Sequence, residues 1–429
     1  MKGTPALGHG GAKTQAMDSQ DSRKATIAEL IRRGKAIYWK MPAPLRWPLF
    51  PVKMICKLFT VVRPDVWIMR GNEQFGGQPL GIIFAGLEID KNYIRTLAFG
   101  DSCREQRLGR TWLWNVRKAS MKSGHDCALL VIEAPHCSAV LSRRLKYLLI
   151  PTWVDGELNI AAERAAIFKT SNKSLRSDLC RIRKHNLQYE AAQSLSQLDD
   201  FYHNMYLPYT TSAHGDSSKI MTYGYVKAEF KKRGLFTDLI LIKENGQYIA
   251  GILLCCEKDR GKLSTLGVKD GNLDYLDHGA VAAAYHFAVQ YLVDKGYAKI
   301  DFGGSRAFLK DGVLRYKRKW HQQVSSRKEP AFLLKVLSQT PGLMGFLANN
   351  PFMYKDAAGL KGAVFLEAGK PLAKRDCADI YRQFHVEGMS KLVLYRFDDT
   401  AGAAAEAVPP ELADKMTIAP AESLLQTMR

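Results

Sequence analysis

The sequence predicts an α/β (α+β) protein with two tandem units, each a mixed central sheet flanked by helices, and a small C-terminal extension. Short apolar runs bounded by turn residues alternate with amphipathic segments between residues 65 and 330. Asn245-Gly246 separates two apolar runs, a pattern typical of a β-hairpin. A length of 429 residues suits two or three domains.

The first unit is expected to contain strands on both sides of one amphipathic helix. We predict that helix over 104–124, because Leu108, Trp112 and Val116 follow a helical period. The predicted strands are VWIMRG, GIIFAGLE, TLAFG, CALLVIEA and YLLIPTWV.

The second unit begins near Leu158 and is expected to open with a basic helix that ends near Asn186. Further helices are predicted at LDDFYHNMYLPY, over 219–233, and at the strongly apolar segment that follows Gly279 and ends at Gly296. The predicted strands are TDLILIKEN, QYIAGILLCCE, KLSTLGV and AKIDFGGS.

Composition shifts divide the chain into six parts. The predicted parts are a disordered tail (1–24), a basic aromatic arm (25–64), the first unit (65–157), the second unit (158–330), an accessory subdomain (331–400) and a flexible tail (401–429).

The net charge of +20 is concentrated in residues 1–64 and 160–330, which carry +9 each. Such blocks attract polyanions, which include nucleic acid, anionic lipid and phosphorylated substrates. In the arm, basic residues alternate with aromatic ones, which suits either an anionic membrane surface or an extended segment wrapped on the first unit. No apolar run reaches the length of a membrane span.

The eight cysteines have no C-x-x-C spacing and no paired histidine. A zinc site or a disulfide framework is therefore not expected, and no metal is predicted. The composition also excludes collagen-like and wholly disordered proteins.

Residues 104–134 resemble motif A of the GNAT N-acyltransferase superfamily, in which a Gly-rich turn, a helix and an apolar strand bind coenzyme A. The turn would be Arg104 to Gly109, which makes Arg104 and Gly109 candidate cofactor-binding residues. Arg107 stands where the family has its first Gly, so the first unit is expected to be degenerate.

Residues 160–325 are more specifically similar to the Fem-like branch of that superfamily, including members found beside polysaccharide-assembly enzymes. The basic helix KSLRSDLCRIRKHNLQYE, the helix after LDHG and the run KIDFGGSRAFLKDGVLRYKRKW carry this resemblance. It implies two tandem GNAT-like units, an acyl or aminoacyl donor, and an amine acceptor in the cell envelope.

Holding the donor's phosphates suits a helix N-terminus with free amides. Asp277-His278-Gly279 opens the apolar helix, so His278 and Gly279 are candidates for this role, with Gly303 and Gly304 at the end of the strand at 298–305. The alternative is that Asp277 is an ordinary N-cap.

Three residues are candidates for proton transfer. Asp301 lies between apolar neighbours at a strand end, where a desolvated carboxylate suits a base, although it also suits a cap of the Gly303 turn. His214, in a predicted loop, has a suitable ordinary pKa, and Tyr209 is a candidate donor to a leaving thiolate. A solvent-facing His214 and a packed Tyr209 are the alternatives.

Two basic segments are candidates for one anionic-substrate groove. If residues 315–319 form a strand, three of their basic side chains share one face. Two solvated surfaces are the alternative. The candidate substrate-binding residues are Arg176, Arg183, Lys184, Arg315, Lys317 and Lys319.

The sequence thus favours a cytoplasmic N-acyltransferase, peripheral to the inner face of a membrane, that moves an acyl group from acetyl-CoA or another acyl-CoA to an amine on an envelope or polysaccharide precursor. Two alternatives stay open. One is a Fem-type aminoacyltransferase that uses aminoacyl-tRNA. The other is a non-catalytic GNAT-like module that binds a polyanion or a membrane. DNA is not an expected partner.

Overall fold

The computed structural model describes residues 62–100, 102–134, 146–160, 173–214, 220–327, 330–367, 369, 372–398 and 408–428. The predicted tail (1–24) and all but the last residues of the predicted arm (25–64) lie outside this part of the chain.

The strands of the described residues form two sheets. In chain order they are β1 (Asp65–Asn72), β2 (Pro79–Gly86), β3 (Arg104–Arg110), β4 (Leu129–Ala134), β5 (Leu148–Pro151), β6 (Trp153–Asn159), β7 (Gln188–Ala191), β8 (Thr237–Glu244), β9 (Gln247–Glu257), β10 (Arg260–Val268), β11 (Lys299–Arg306), β12 (Gln323–Ser326), β13 (Ala331–Val336), β14 (Phe352–Asp356), β15 (Gly359–Leu366), β16 (Lys391–Arg396) and β17 (Met416–Pro420).

The helices flank these sheets. They are α1 (Glu88–Phe99), α2 (Val116–Ser123), α3 (Lys173–Lys184), α4 (Leu195–Asp200), a π-helical segment (Phe201–Tyr206), α5 (Leu207–His214), α6 (Tyr223–Phe230), α7 (Leu273–His278), α8 (Ala280–Asp294), α9 (Gly312–Arg318), α10 (Pro341–Asn349), α11 (Lys374–Phe384) and α12 (Ala421–Gln426), with 3₁₀ turns at Leu113–Asn115, Lys269–Gly271 and Pro410–Leu412.

The first sheet has ten strands in the order β17-β16-β15-β14-β5-β13-β4-β2-β1-β3. It is mixed, since β2 pairs with β4 in parallel and with β1 antiparallel. Strands from residues 331–420, which were expected to form an accessory subdomain and part of a flexible tail, extend this sheet from β13 to β17. Only β13 and β14 among these strands pair with distant segments, at β4 and β5, and no local sequence pattern indicates those partners.

The second sheet has seven strands in the order β12-β6-β11-β10-β9-β8-β7. Strands β7 to β10 run antiparallel to their neighbours, whereas β10 and β11 are parallel and are connected through α7 and α8. The predicted architecture of mixed sheets flanked by helices is therefore confirmed. Eight residues of α8 are buried, which explains the strongly apolar sequence after Gly279.

Two of the predicted elements are wrong, and a third, the strand considered conditionally at residues 315–319, is not formed. TLAFG is the end of helix α1, whose buried face includes Asp90 and Lys91, and these two charged residues mask the apolar period. Residues 104–110 form the edge strand β3 rather than the start of a helix, because they pair along β1. Residues 312–318 form helix α9 rather than a strand, with Asp311 as the N-cap.

Candidate functional site

The parallel strands β10 and β11 separate after a short stretch of pairing. They pair only at Arg260–Lys262 with Lys299–Asp301, within a part of the chain, 260–306, that is described throughout. Beyond these residues β11 continues along β6, and β10 continues along β9. The second half of β10, residues 263–268, therefore has no strand of the described chain paired with it on the edge that faces β11.

Local irregularities on both strands produce this separation. The register of β11 against β6 shifts between Asp301 and Gly303, and Gly303 has a φ of +72°. Since a side chain is strained at that angle, glycine suits the position. The register of β10 against β9 shifts between Leu263 and Thr265. A bulge on each strand turns the two backbones apart.

Asp301 lies where the strands part. Its Oδ1 accepts a hydrogen bond from the Gly303 amide at 2.7 Å, which holds the bulge in place. Its Oδ2 is 3.9 Å from the Lys262 ammonium. The structure thus shows the turn-capping contact that was the alternative for Asp301, and it leaves one carboxylate oxygen directed to a lysine.

The ammonium group of Lys317 is buried beside the same bulge. The residue is 5 % exposed, and its Nζ donates to the Gly304 carbonyl at 2.9 Å. A Cβ on Gly303 would lie 3.9 Å from this Nζ and 4.0 Å from the Leu263 carbonyl of β10. Burial lowers the pKa of Lys317 to about 8, although nearby Asp301, Asp311 and Asp155 oppose the shift. A cation that can change protonation near neutral pH therefore lies at the strand separation.

Tyrosines line the helical side of this region. Burial raises the pKa of Tyr209, on α5, and the Tyr209 ring packs against the core of the second sheet. Tyr285 stacks against Phe302 of β11, and it meets Tyr316 edge to face. His214 is the last residue of helix α5 rather than part of a loop.

Helix α8 begins at Ala280, as predicted, with Gly279 rather than Asp277 as its N-cap. Gly279 has a φ of +94° and both ends α7 and precedes α8. A Cβ there would lie 3.2 Å from the Cβ of Arg181, so α3 packs closely on this turn. The His278 imidazole is bonded to Glu244, which leaves only backbone amides of the turn for a phosphate.

The two basic segments are brought together. Lys319, just after α9, pairs with Asp178 of α3 at 3.0 Å, and Arg181 lies 3.7 Å from the same carboxylate. Lys317 does not share their surface, because a helix directs it into the core while Arg315 is exposed. The other candidate residues of α3, Arg176, Arg183 and Lys184, are exposed.

Arg104 and Gly109 do not join this group of residues. Both lie on β3, the edge strand of the other sheet, where Arg107 and Arg110 pair with Asp65. A motif-A turn at a helix N-terminus is therefore absent at 104–109, since these residues form a strand.

Sequence reasoning missed two features of this region. Lys317 was grouped with surface cations, although a helical reading of residues 312–318 would have separated it from Arg315 by about 200° around the helix. The contacts of His185 and His278 with Glu244 join residues that are far apart in sequence, and no local pattern indicates them.

Comparisons with known proteins show structural likeness only. No family model and no curated protein matches the sequence. FemX is 11 % identical, with a TM-score of 0.36 over 62 % of this chain and 83 % of its own. L-PGS from Bacillus licheniformis is 10 % identical, with a TM-score of 0.32 over 66 % and 85 %. A GCN5-related N-acetyltransferase from Kribbella flavida is 12 % identical, with a TM-score of 0.25 over 60 % and 82 %. Likenesses this weak assign neither a family nor an activity.

None of the described helices combines the length and the apolar character that crossing a bilayer requires.

Proposed function

We propose that the chain is an N-acyltransferase whose reaction takes place where β10 and β11 separate. One observation supports this most strongly. An open strand edge lies next to a buried lysine whose pKa is about 8, and beside the carboxylate of Asp301. Acyl transfer to an amine needs a donor held in position, a hydrogen-bond donor or positive charge near the reacting carbonyl, and a base.

The proposed donor is acetyl-CoA or another acyl-CoA. The amide groups of its pantetheine arm pair with the free edge of β10, in the way an extended peptide adds to a sheet. Its phosphates lie at the turn of His278 and Gly279, where the first amides of α8 and the helix dipole favour an anion. Exposed Arg183 and Lys184 of α3 add positive charge to that end of the second unit.

In the proposed reaction the acceptor amine attacks the thioester carbonyl directly. Asp301 Oδ2 takes the proton that the amine loses, and the protonated Lys317 stabilises the oxyanion. The carbon–sulfur bond then breaks, and the Tyr209 hydroxyl donates a proton to the leaving thiolate. His214 is the other candidate base. The acceptor is an amine on a cell-envelope or polysaccharide precursor, and residues 25–64 hold the protein at the inner face of the membrane.

A second candidate function uses aminoacyl-tRNA as the donor. The exposed basic residues of α3 favour it, because a row of arginines and lysines suits a nucleic-acid backbone. The ester carbonyl of that donor would occupy the same position beside Lys317.

The first experiment is thermal unfolding of the full chain with acetyl-CoA, free coenzyme A or bulk tRNA. A ligand at about 100 times its Kd adds roughly 2.7 kcal/mol to the stability, which corresponds to a Tm increase of several degrees. We expect an increase with both coenzyme A species. An increase with tRNA alone favours the second candidate, and no increase with any of them counts against both.

The second experiment tests catalysis itself with Lys317→Met. We expect transfer of labelled acetyl to amine acceptors to fall by about 10²- to 10³-fold, as for loss of an oxyanion donor, while the ligand-induced Tm increase remains. Lys310→Met is the matched control, since Lys310 is exposed just before α9. Full activity of the Lys317 variant would contradict this mechanism. Binding without transfer in the unmodified protein would favour the non-catalytic module.

A further inference from the structure

Two histidines and one glutamate converge at the top of the second sheet. His185 follows the last residue of α3, Glu244 is the last residue of β8, and His278 is the last residue of α7. The Nδ1 of His185 lies 3.0 Å from Glu244 Oε1, and the Nδ1 of His278 lies 3.0 Å from the same oxygen and 3.1 Å from Oε2. All three ligand-type atoms lie within 4.8 Å of one another.

The group is fixed by rigid elements and open on one side. The Glu244 side chain is 11 % exposed, whereas those of His185 and His278 are 23 % and 35 % exposed. The two imidazole rings stack with centroids 4.0 Å apart, and Tyr275 meets His278 edge to face. The carboxylate is thus enclosed, while water has access to the histidine side of the group.

The charges closest to the two ring nitrogens favour a cation, although Arg183 and Lys184 lie exposed just before His185. Both histidines stand at helix C-termini, of the twelve-residue α3 and the shorter α7, where the helix dipole places partial negative charge. The Glu244 carboxylate adds a full negative charge. Two neutral imidazoles and a carboxylate form a donor set that zinc and similar divalent metals use when they keep one open position.

We propose that His185, Glu244 and His278 form a binding site for a divalent transition metal of the zinc type. Two ligands on a tetrahedral zinc ion at about 2.1 Å stand about 3.4 Å apart, so the nitrogen–oxygen distances widen slightly on binding. The two stacked imidazole rings also turn out of their near-parallel arrangement, so that both ring nitrogens face the one ion. The metal takes the place of the protons that otherwise join each imidazole to the carboxylate. Water fills the open fourth position. The site connects the ends of α3, β8 and α7, next to the turn at which α8 begins.

This proposal departs from the expectation that the chain binds no metal, which rested on cysteine spacing. Its ligands are separated by 59 and 34 residues along the chain, so only the fold brings them together. Cys180 is exposed on the same helix as the residues before His185, and its thiol is the main competing ligand to exclude.

The test uses the untagged full-length protein, treated with a chelator and then titrated with Zn²⁺ by calorimetry and with Co²⁺ by visible absorption. We expect one equivalent to bind, with a Co²⁺ spectrum of nitrogen and oxygen ligands and without thiolate charge transfer. Glu244→Gln and His185→Gln are each expected to weaken zinc binding at least tenfold. The matched controls are His125→Gln, an exposed histidine elsewhere in the chain, and Cys180→Ser.

Circular dichroism and unfolding without metal show whether each variant is folded. If Glu244→Gln fails to fold, His278→Gln replaces it, since that histidine is the most exposed of the three. Absence of zinc binding to the folded wild-type protein would overturn the proposal. So would zinc affinity that is unchanged in the His185→Gln/His278→Gln double variant, or lost in Cys180→Ser.

Discussion

The Lys317 ammonium is buried beside the second sheet, and the free-energy cost of burying it depends on pH. In the folded protein its pKa is lowered to about 8, whereas in the unfolded chain it titrates near 10.4. Between these values the unfolded state binds more protons, so this residue makes stability rise as the pH rises from about 8 to about 10.

The prediction is that Lys317→Met removes this part of the pH dependence. Below pH 8, where burying the ammonium is costly, we expect the variant to have a higher free energy of unfolding than wild type. This difference should shrink as the pH rises toward 10. Urea unfolding of both proteins across this window measures the difference. Parallel curves over the whole window would show that Lys317 has an ordinary pKa in the folded protein.

Glu133 on β4 affects the pH dependence of stability in the direction opposite to Lys317. Burial, together with the nearby Asp90 carboxylate, raises the pKa of Glu133 to about 7, although the Leu87 amide donates to its Oε2 at 2.7 Å. Its folded-state pKa lies above the unfolded value of about 4.3, so its contribution to stability is complete below pH 4 and is lost as the pH rises through 7.

We therefore expect Glu133→Gln to flatten the stability curve between about pH 4 and pH 7 and to stabilise the protein at its upper end. Denaturant unfolding at several pH values in this range gives the comparison. Glu411→Gln, at an exposed position, is the control and is expected to follow wild type. A Glu133 variant that keeps the wild-type slope would contradict the assignment.

At the scale of elements, β10 and the π-helical segment approach each other at Gly267. A Cβ on Gly267 would lie 2.4 Å from the backbone nitrogen of Tyr206 and 2.6 Å from the carbonyl carbon of Met205. Backbone atoms cannot move aside as a flexible side chain can, so Gly267→Ala is expected to lower the free energy of unfolding by about 1–3 kcal/mol.

The control is Gly224→Ala in the first turn of α6, where a Cβ meets nothing within 4 Å. That change is expected to be neutral or stabilising by up to about 1 kcal/mol, since alanine favours a helix. Chemical unfolding of both variants decides the matter. Equal stabilities would mean that β10 and the π-helical segment are not in close contact.

The elements that sequence patterns predicted well are those whose burial is local and regular. The hairpin of β8 and β9 turns at Asn245-Gly246, and α8 buries one strongly apolar face. Helix α1 was not predicted because charged residues occupy its buried face. There Lys91 pairs with Glu105, and Asp90 pairs with Arg306. Only distant partners make those charges tolerable, and no local window shows them.

The candidate site divides in the same way. Asp301 and Gly303 could be predicted as site residues because a strand that ends in glycines is a local sequence pattern. The two residues that form this hydrogen bond are only two positions apart in the chain. The burial of Lys317 depends on α9 packing against β11, and the metal ligands depend on three elements meeting. Distances between remote segments are set by the whole fold, which explains why these features became visible only in three dimensions.

At the scale of the whole molecule, the two sheets are joined where β11 ends. Ala307, Phe308 and Leu309 follow β11 directly and pack in the core of the first sheet, where Phe308 bridges to Phe352. The guanidinium of Arg306 lies between the rings of Tyr93 and Trp153, 4.4 and 4.2 Å from their centres. The same connection carries the strand that separates from β10, so the proposed site depends on the junction of the sheets.

Breaking the buried ion pair at this junction is expected to destabilise the protein strongly. Arg306 lies 2.6 Å from Asp90, and both residues are less than 10 % exposed. Arg306→Met leaves the carboxylates of Asp90 and Glu133 buried without their cation, for which we expect a loss of about 3–5 kcal/mol in the free energy of unfolding.

The double variant Arg306→Met/Asp90→Asn separates charge from packing. Once the carboxylate is neutral, the missing cation matters less, so the double variant should be more stable than the sum of the two single losses implies. Calorimetry of all four proteins gives the coupling, and it also shows whether the sheets unfold together. If the pair only fills space, the two losses add and no coupling is measured. If the ion pair holds the sheets together, Arg306→Met alone splits one unfolding transition into two. Without the contact between them, the less stable sheet unfolds at a lower temperature than the other.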